Sequence, residues 1–277
     1  MSELLERLDY PADTKAVIIV CDGLGSSNAA NIAIKSALRH GLATCAGLQV
    51  PCPWALAATA QHEGEDVGVA LTLTAEYDLY RWGPITQAPS LLGGDGGFPQ
   101  TPVDCWEHAD IDEVRRETRA QLERAVLWGF HPSHLGSHMD VLNSRPEFFD
   151  VYLDLALEFG LPISLPDPAL DLGFDPRRLA ADEGVLVPDR VVRAPRKVEA
   201  RSIIDAAIAD LEPGVTEIHI RPAIDSPELR AMSPDWLAAV SNAHLITEDW
   251  VFRSALARSG AKLIGFAQLQ QAQRNGS

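Results

Sequence analysis

Residues 17–34, VIIVCDGLGSSNAANIAI, constrain the fold more than any other stretch of the chain. Val17, Ile18, Ile19 and Val20 form an unbroken β-branched run, the pattern of a strand buried on both faces. Cys21, Asp22 and Gly23 end the run. Leu24-Gly25-Ser26-Ser27-Asn28 then brings turn and N-cap chemistry, and good helix formers follow from Ala29 to Leu38. Strand, polar loop, helix is the unit from which α/β folds are built, and such folds carry their chemistry at the carboxyl ends of the strands. Asp22 stands at that place. The same residue reads equally well as a plain turn cap.

A chain of 277 residues, 46% of them hydrophobic, can build one large α/β core or two small ones. Its net charge of −16 argues against a nucleic-acid partner, which calls for a basic face. No apolar run approaches the roughly 18 residues of a membrane-spanning helix, and residues 1–16 lack the apolar centre of a signal peptide. The expectation is therefore a cytoplasmic protein with no membrane partner. Cys21, Cys45, Cys52 and Cys105 make no CxxC pair, which points to buried thiols instead of disulfides or a zinc ribbon.

Further along, strand and helix patterns alternate. Strands are expected over 43–50, 66–73, 217–220 and 262–266. Helices are expected over 54–62, 111–128, 146–159, 200–211, 234–240 and 249–259. Residues 76–89 form an aromatic loop, EYDLYRWGPITQAP. The glycines at 93–97 lack the Lys and Ser/Thr of a phosphate loop and read as a flexible loop. Residues 166–190, rich in Pro and Asp, read as a long excursion. Without internal repeat or linker, residues 1–277 read as one α/β domain, either barrel-like or an open parallel sheet, with 1–14 and 271–277 as flexible ends.

Six stretches, in order, give the chain a family resemblance. They are CDGLGSSNAAN (21–31), GLATCAGLQVPCPW (41–54), GVALTL (68–73), Tyr80-Arg81-Trp82-Gly83-Pro84, SHLGSHM (133–139) and RPAIDSPELRA (221–231). Together they resemble the YdjC-like carbohydrate deacetylases, which include chitooligosaccharide deacetylase, over residues 15–269. The resemblance implies a single (β/α) barrel-like domain of the YdjC deacetylase type. It also implies a divalent metal held by one aspartate and two histidines, with a second carboxylate as general base on the attacking water. Such a metal polarises the acetamide oxygen and lowers the pKa of its water.

The chain departs from that pattern where the resemblance places the ligands. Asp22 falls on the first aspartate of the family's pair, and Gly23 falls on the second, the expected metal carboxylate. Ala70 replaces the histidine of GVHLTL, Gly136 the aspartate of THLDSHM, and Arg221 a histidine of the late segment; His138 is retained. Gly and Ala bring no donor atom, and one histidine cannot hold a catalytic metal. The expectation is that the divalent metal is lost and no cofactor remains. A relocated site of Asp22, His138 and Asp140 is the competing reading, against a packed His134 and a solvated Asp140.

Asp22 and His138 are thus the candidate catalytic residues. Asn31, Glu76, Tyr80, Arg81, Trp82 and Arg221 are the candidate ligand-binding residues, with Trp82 stacking on a sugar face and Arg81 reaching a polar group. The competing reading of 76–82 is a loop anchored by its own aromatics. Cys21 reads as a nucleophile beside His138 or, more simply, as a small buried hydrophobe. Arg221, always protonated, is expected to fill the space of the lost cation and to pair with Asp22 or an anionic ligand group. Asp22, Gly23, Ala70, Gly136, His138 and Arg221 should then line one cavity. The expected function is binding of a sugar-like or acylated small molecule, with metal-dependent N-deacetylation lost or replaced by metal-free chemistry. Two other readings stay open: a working hydrolase with shifted ligands, and a non-catalytic partner of an active paralogue. Sequence leaves a homodimer open.

Overall fold

A short helix, α1 (Glu3–Arg7), leads into β1 (Lys15–Leu24) in this computed structural model, which describes residues 2–196 and 198–275. Then follow α2 (Asn28–His40), β2 (Cys45–Leu48), α3 (Ala55–Thr59), β3 (Val67–Leu71), α4 (Pro102–His108), α5 (Ile111–Leu127), β4 (Leu135–Ser137) and α6 (Pro146–Phe159). The second half holds α7 (Pro176–Asp182), β5 (Arg190–Arg193), α8 (Arg201–Ala209), β6 (Gly214–Ile220), α9 (Pro227–Met232), α10 (Trp236–Thr247), α11 (Trp250–Arg258), β7 (Lys262–Leu263) and α12 (Phe266–Asn275).

The strands pair in parallel in the order β4-β3-β2-β1-β6-β5, with β7 alongside the first half of β1. The sheet curls into a half-barrel surrounded by helices, so the expected (β/α) barrel-like fold holds. A single parallel bridge, Leu135 to Ile163, extends the sheet past β4.

Side-chain alternation on β1 explains why both of its faces are apolar. Val17, Ile19 and Cys21 join the large core shared with the helices. Ala16, Ile18 and Val20 join Val215, Ile264, Phe266 and Leu269 in a second cluster inside the curl. Asp22 continues this inner row and opens above it, into the cavity that Val20 also borders. The register of β6 against β1 (Val20 beside His219, Cys21 beside Ile220) sets Glu217 and His219 on the same inner face.

Several elements differ from the sequence reading. The strand expected over 262–266 stops at Leu263 and Phe266 opens α12, because the Gln268 side chain accepts from the Gly265 N–H and Asp66 accepts from that of Ala267. The 166–190 excursion contains α7, capped by Asp175 with Pro176 at its first position. Within the stretches read as flexible ends, Leu4, Leu5 and Gln273 are buried. Positions 1, 276 and 277 of those ends lie outside the described residues. The 93–97 glycines close a tight turn, with Gly93 N–H donating to Gly97 O at 2.7 Å. Among the described residues, no helix is long and apolar enough to cross a membrane.

Candidate functional site

The strand ends surround a cavity of about 140 Å³, close to the roughly 150 Å³ of an engineered cavity that admits benzene. It therefore has room for about one ring. As expected, Asp22, Gly23, Ala70, Gly136, His138 and Arg221 all line it. Gly47, Ala70 and Gly136, on β2, β3 and β4, give that wall no side-chain donor. A Cβ built on Gly47 would sit 3.2 Å from that of Ala70, and Ala70 pairs in register with Gly136.

One polar cluster is built around His219. Its Nδ1–H donates to both oxygens of Asp22 at 3.0 and 3.1 Å, and its Nε2–H donates to Glu217 at 2.7 Å. Burial and the neighbouring Arg193 oppose a charged imidazole, but Asp22 and Glu217 outweigh them and raise the His219 pKa to about 9. The ring is thus an imidazolium at neutral pH. Burial likewise opposes ionisation of Asp22, yet His219, Arg221 and Arg193 together hold it well below the usual carboxylate range. Arg193, at the end of β5, pairs with Asp140 at 3.0 Å and donates to Ser164 Oγ at 2.9 Å.

A second cluster is built around His138. Gln49 Nε2 donates to its Nδ1 at 2.7 Å, which leaves the proton on Nε2 to donate to Glu76 at 3.0 Å. Arg196 donates to the other Glu76 oxygen and, at 2.7 Å, to the Tyr77 hydroxyl. Burial pushes the Glu76 carboxyl up, but His138 and Arg196 overcome it and hold the group well below its ordinary value. His138 is presented by a bent turn: Met139 and Asp140 both carry left-handed backbone, at φ 53° and 57°. Such backbone in non-glycine residues concentrates at functional sites.

Other expected residues sit elsewhere. Asn31 is buried below the loop and ties Gly25 N–H to Trp54 O, at 2.7 and 3.1 Å. Tyr80 donates to Ser26 O, and the buried Trp82 donates its indole N–H to Thr74 O. Arg81 clamps the carbonyls of Ala75, Tyr77 and Phe98 and pairs with Asp95. These four do not line the cavity; Asn31 braces the turn after β1, and the other three hold up the loop whose Glu76 and Tyr77 do line it. Cys21 is fully buried and its thiol is pushed far up by burial, so it is a packed hydrophobe and no nucleophile. His134 is also packed, stacked on Phe266 with its pKa lowered to about 4 by burial.

Arg221 faces the cavity as expected, but Asp22 does not hydrogen-bond to it; His219 takes that carboxylate. Sequence reasoning did not single out Gln49, Tyr77, Arg193, Arg196, Glu217 or His219 as site residues. The pattern Glu217-x-His219-x-Arg221 at a strand end was a readable signal, since alternate residues share a face. Arg193 and Arg196 had none, because the short strand RVVR is bracketed by charge.

The arrangement does not fit a metal held by side chains. Gly23, Ala70 and Gly136 bring no donors, while Asp22, His138 and Asp140 are each engaged in separate pairs. Among the described residues, no three His, Cys, Asp or Glu side chains converge to hold an ion.

The family model of YdjC-like proteins matches residues 16–256. A carbohydrate deacetylase of Thermus thermophilus is 34% identical over 242 residues, covering 84% of this chain and 86% of that one. A carbohydrate deacetylase of Brevibacillus brevis is 33% identical over 154 residues, 54% of this chain and 59% of the relative. A crystal structure from Enterococcus faecalis V583, provisionally described as a cellobiose-phosphate cleavage protein, superposes with a TM-score of 0.81 at 24% identity, over 92% of this chain and 99% of that one. With a fold and a motif order that agree with these matches, the chain belongs to the YdjC-like protein family.

Proposed function

We propose that this chain is a divergent carbohydrate-deacetylase relative whose cavity binds a sugar-like or acylated small molecule without metal-dependent N-deacetylation. One observation carries the reading: the cavity keeps a dense set of polar side chains, yet the wall of Gly23, Gly47, Ala70 and Gly136 is bare of donors. Polar groups that converge on a ring-sized space suit a small polyhydroxylated ligand.

Any chemistry run here falls to the chain's own acids and bases. His219, protonated at neutral pH, has both N–H groups committed to Asp22 and Glu217, so it holds those two carboxylates ionised and oriented beside the cavity. His138, with its proton fixed on Nε2 by Gln49, presents a polarised N–H toward Glu76.

The test is acetate release from N-acetylglucosamine and N,N′-diacetylchitobiose, with added Zn²⁺ or Mg²⁺ and with chelator, beside calorimetric binding of the same sugars. Binding with no divalent-dependent acetate release is expected. Release that requires the ion and stops with chelator would refute the reading. Absence of any small-molecule binding would refute it from the other side.

A further inference from the structure

Three arginines face the cavity, and two are fully engaged. Arg193 is held by Asp140 and Ser164; Arg196 by Glu76 and the Tyr77 hydroxyl, with Asp235 at 4.0 Å. For both, burial opposes the charge but neighbouring carboxylates prevail, and the pKa is raised. Arg221 is the exception. Among the described residues, no side chain or carbonyl hydrogen-bonds or ion-pairs with its guanidinium; only its backbone oxygen is held, by Asn242 Nδ2 at 3.3 Å. Asp22 and Glu76 act on it through space alone; burial and the like charge of Arg196 prevail, so its pKa is lowered. A partly buried guanidinium with its N–H donors idle is costly unless a ligand accepts from them.

We propose that Arg221 receives a carboxylate on the cavity's ligand, so that the preferred ligand is an acidic sugar or a comparable small carboxylic acid. The proposal rests on the reading that the cavity binds a sugar-like or acylated small molecule. The planar fork of arginine matches a carboxylate with two parallel hydrogen bonds. The charge count favours a monoanion over a phosphate ester. Arg221 offers one unpaired positive charge, and the groups acting on it are Asp22 and Glu76, both ionised, the already paired Arg196 and the Tyr77 hydroxyl. A second negative charge on the ligand would meet those carboxylates with no cation left to balance it.

The experiment is calorimetric titration of the intact protein with D-glucuronate, its neutral methyl ester and D-glucose 6-phosphate, repeated on Arg221→Gln and Arg221→Lys. Thermal protection by acetate is measured on the same three proteins. Wild type should bind glucuronate at least about tenfold more tightly than the ester and more tightly than the phosphate, the span of one charge-assisted pair. Arg221→Gln should erase that preference, while Arg221→Lys keeps part of it. Equal binding of glucuronate and ester, tighter binding of the phosphate, or a preference that survives Arg221→Gln would overturn the carboxylate site and leave the sugar reading standing. Acetate protection that depends on Arg221, with none of the sugars bound, would support the carboxylate site and overturn the sugar reading. Neither sugar binding nor acetate protection would overturn both.

Discussion

Gly23 shows how far the backbone has followed its own sequence. It carries φ 93°, a conformation that L side chains rarely adopt, and a Cβ there would sit 3.4 Å from Ser26 Oγ. Putting back the expected ligand, Gly23→Asp, should cost about 1 kcal/mol or more in thermal or urea denaturation. The double variant with Ala70→His would bind divalent ions only if that loop rearranges, which metal titration by calorimetry reads directly. Asn31 makes a second test. Its side chain satisfies the Gly25 N–H and bonds Trp54 O, neither of which lines the cavity, so Asn31→Ala should destabilise by about 2 kcal/mol yet leave ligand affinity unchanged. A specific loss of affinity would return Asn31 to the binding site.

His219 ties stability to pH. Its folded pKa of about 9 exceeds its ordinary 6.5, so its contribution is complete below pH 6.5 and fades as pH rises through 9. Asp22, held low, contributes above about pH 4 and loses its share only in stronger acid. The pair should therefore help most between about pH 4 and 6.5. Wild type should lose stability between pH 6.5 and 9, by something on the order of 2–3 kcal/mol, and His219→Gln should flatten that slope. Parallel slopes for the two proteins in denaturant titrations at each pH would show that the imidazolium contributes nothing.

At the scale of elements, α5 does more than cover the sheet. Its Glu117 is fully buried and accepts from Ile85 N–H, the Thr86 N–H and hydroxyl, and Gln121. Glu113, one turn earlier, accepts from Ser90 in the same way. This helix thus pins the far end of the loop that begins with Glu76 and Tyr77. Glu117→Ala leaves buried N–H groups unpaired and should cost on the order of 3 kcal/mol. Faster hydrogen exchange confined to residues 76–100 would locate the effect, whereas uniform change across the sheet would contradict it. The 111–128 periodicity located the helix, but an amphipathic pattern does not say which charged residue turns inward.

For the whole molecule, the half-barrel leaves two free edges, and side chains link them. Arg193, on edge strand β5, reaches Asp140 just after β4 and Ser164 beside the Ile163 bridge. Arg193→Met should cost about 2 kcal/mol, less than a fully buried pair, because the Asp140 side chain keeps 32% of its surface in water. Hydrogen exchange at β5 and β4 should speed up together; a change at β5 alone would mean that the edges are not coupled through this arginine.

Sequence alone determined the strand–loop–helix units and the place of Asp22 at a strand end. Each of these rests on local periodicity and on turn or cap chemistry within a few residues, as in 17–34. The resemblance of its motifs added the choice of a barrel over an open sheet and the expectation that Gly23, Ala70 and Gly136, which carry no donor atoms, stand at ligand positions. Tertiary structure decided the partners. Asp22 and His219 are 197 residues apart in the chain, and Glu76 and Arg196 are 120 apart. Such pairs depend on strand register and on the curl of the sheet, which no local pattern encodes. For the same reason Trp82 and Arg81 left the ligand for the loop's interior. Burial, which decides whether an aromatic or a guanidinium meets substrate or backbone, is a property of the packed whole.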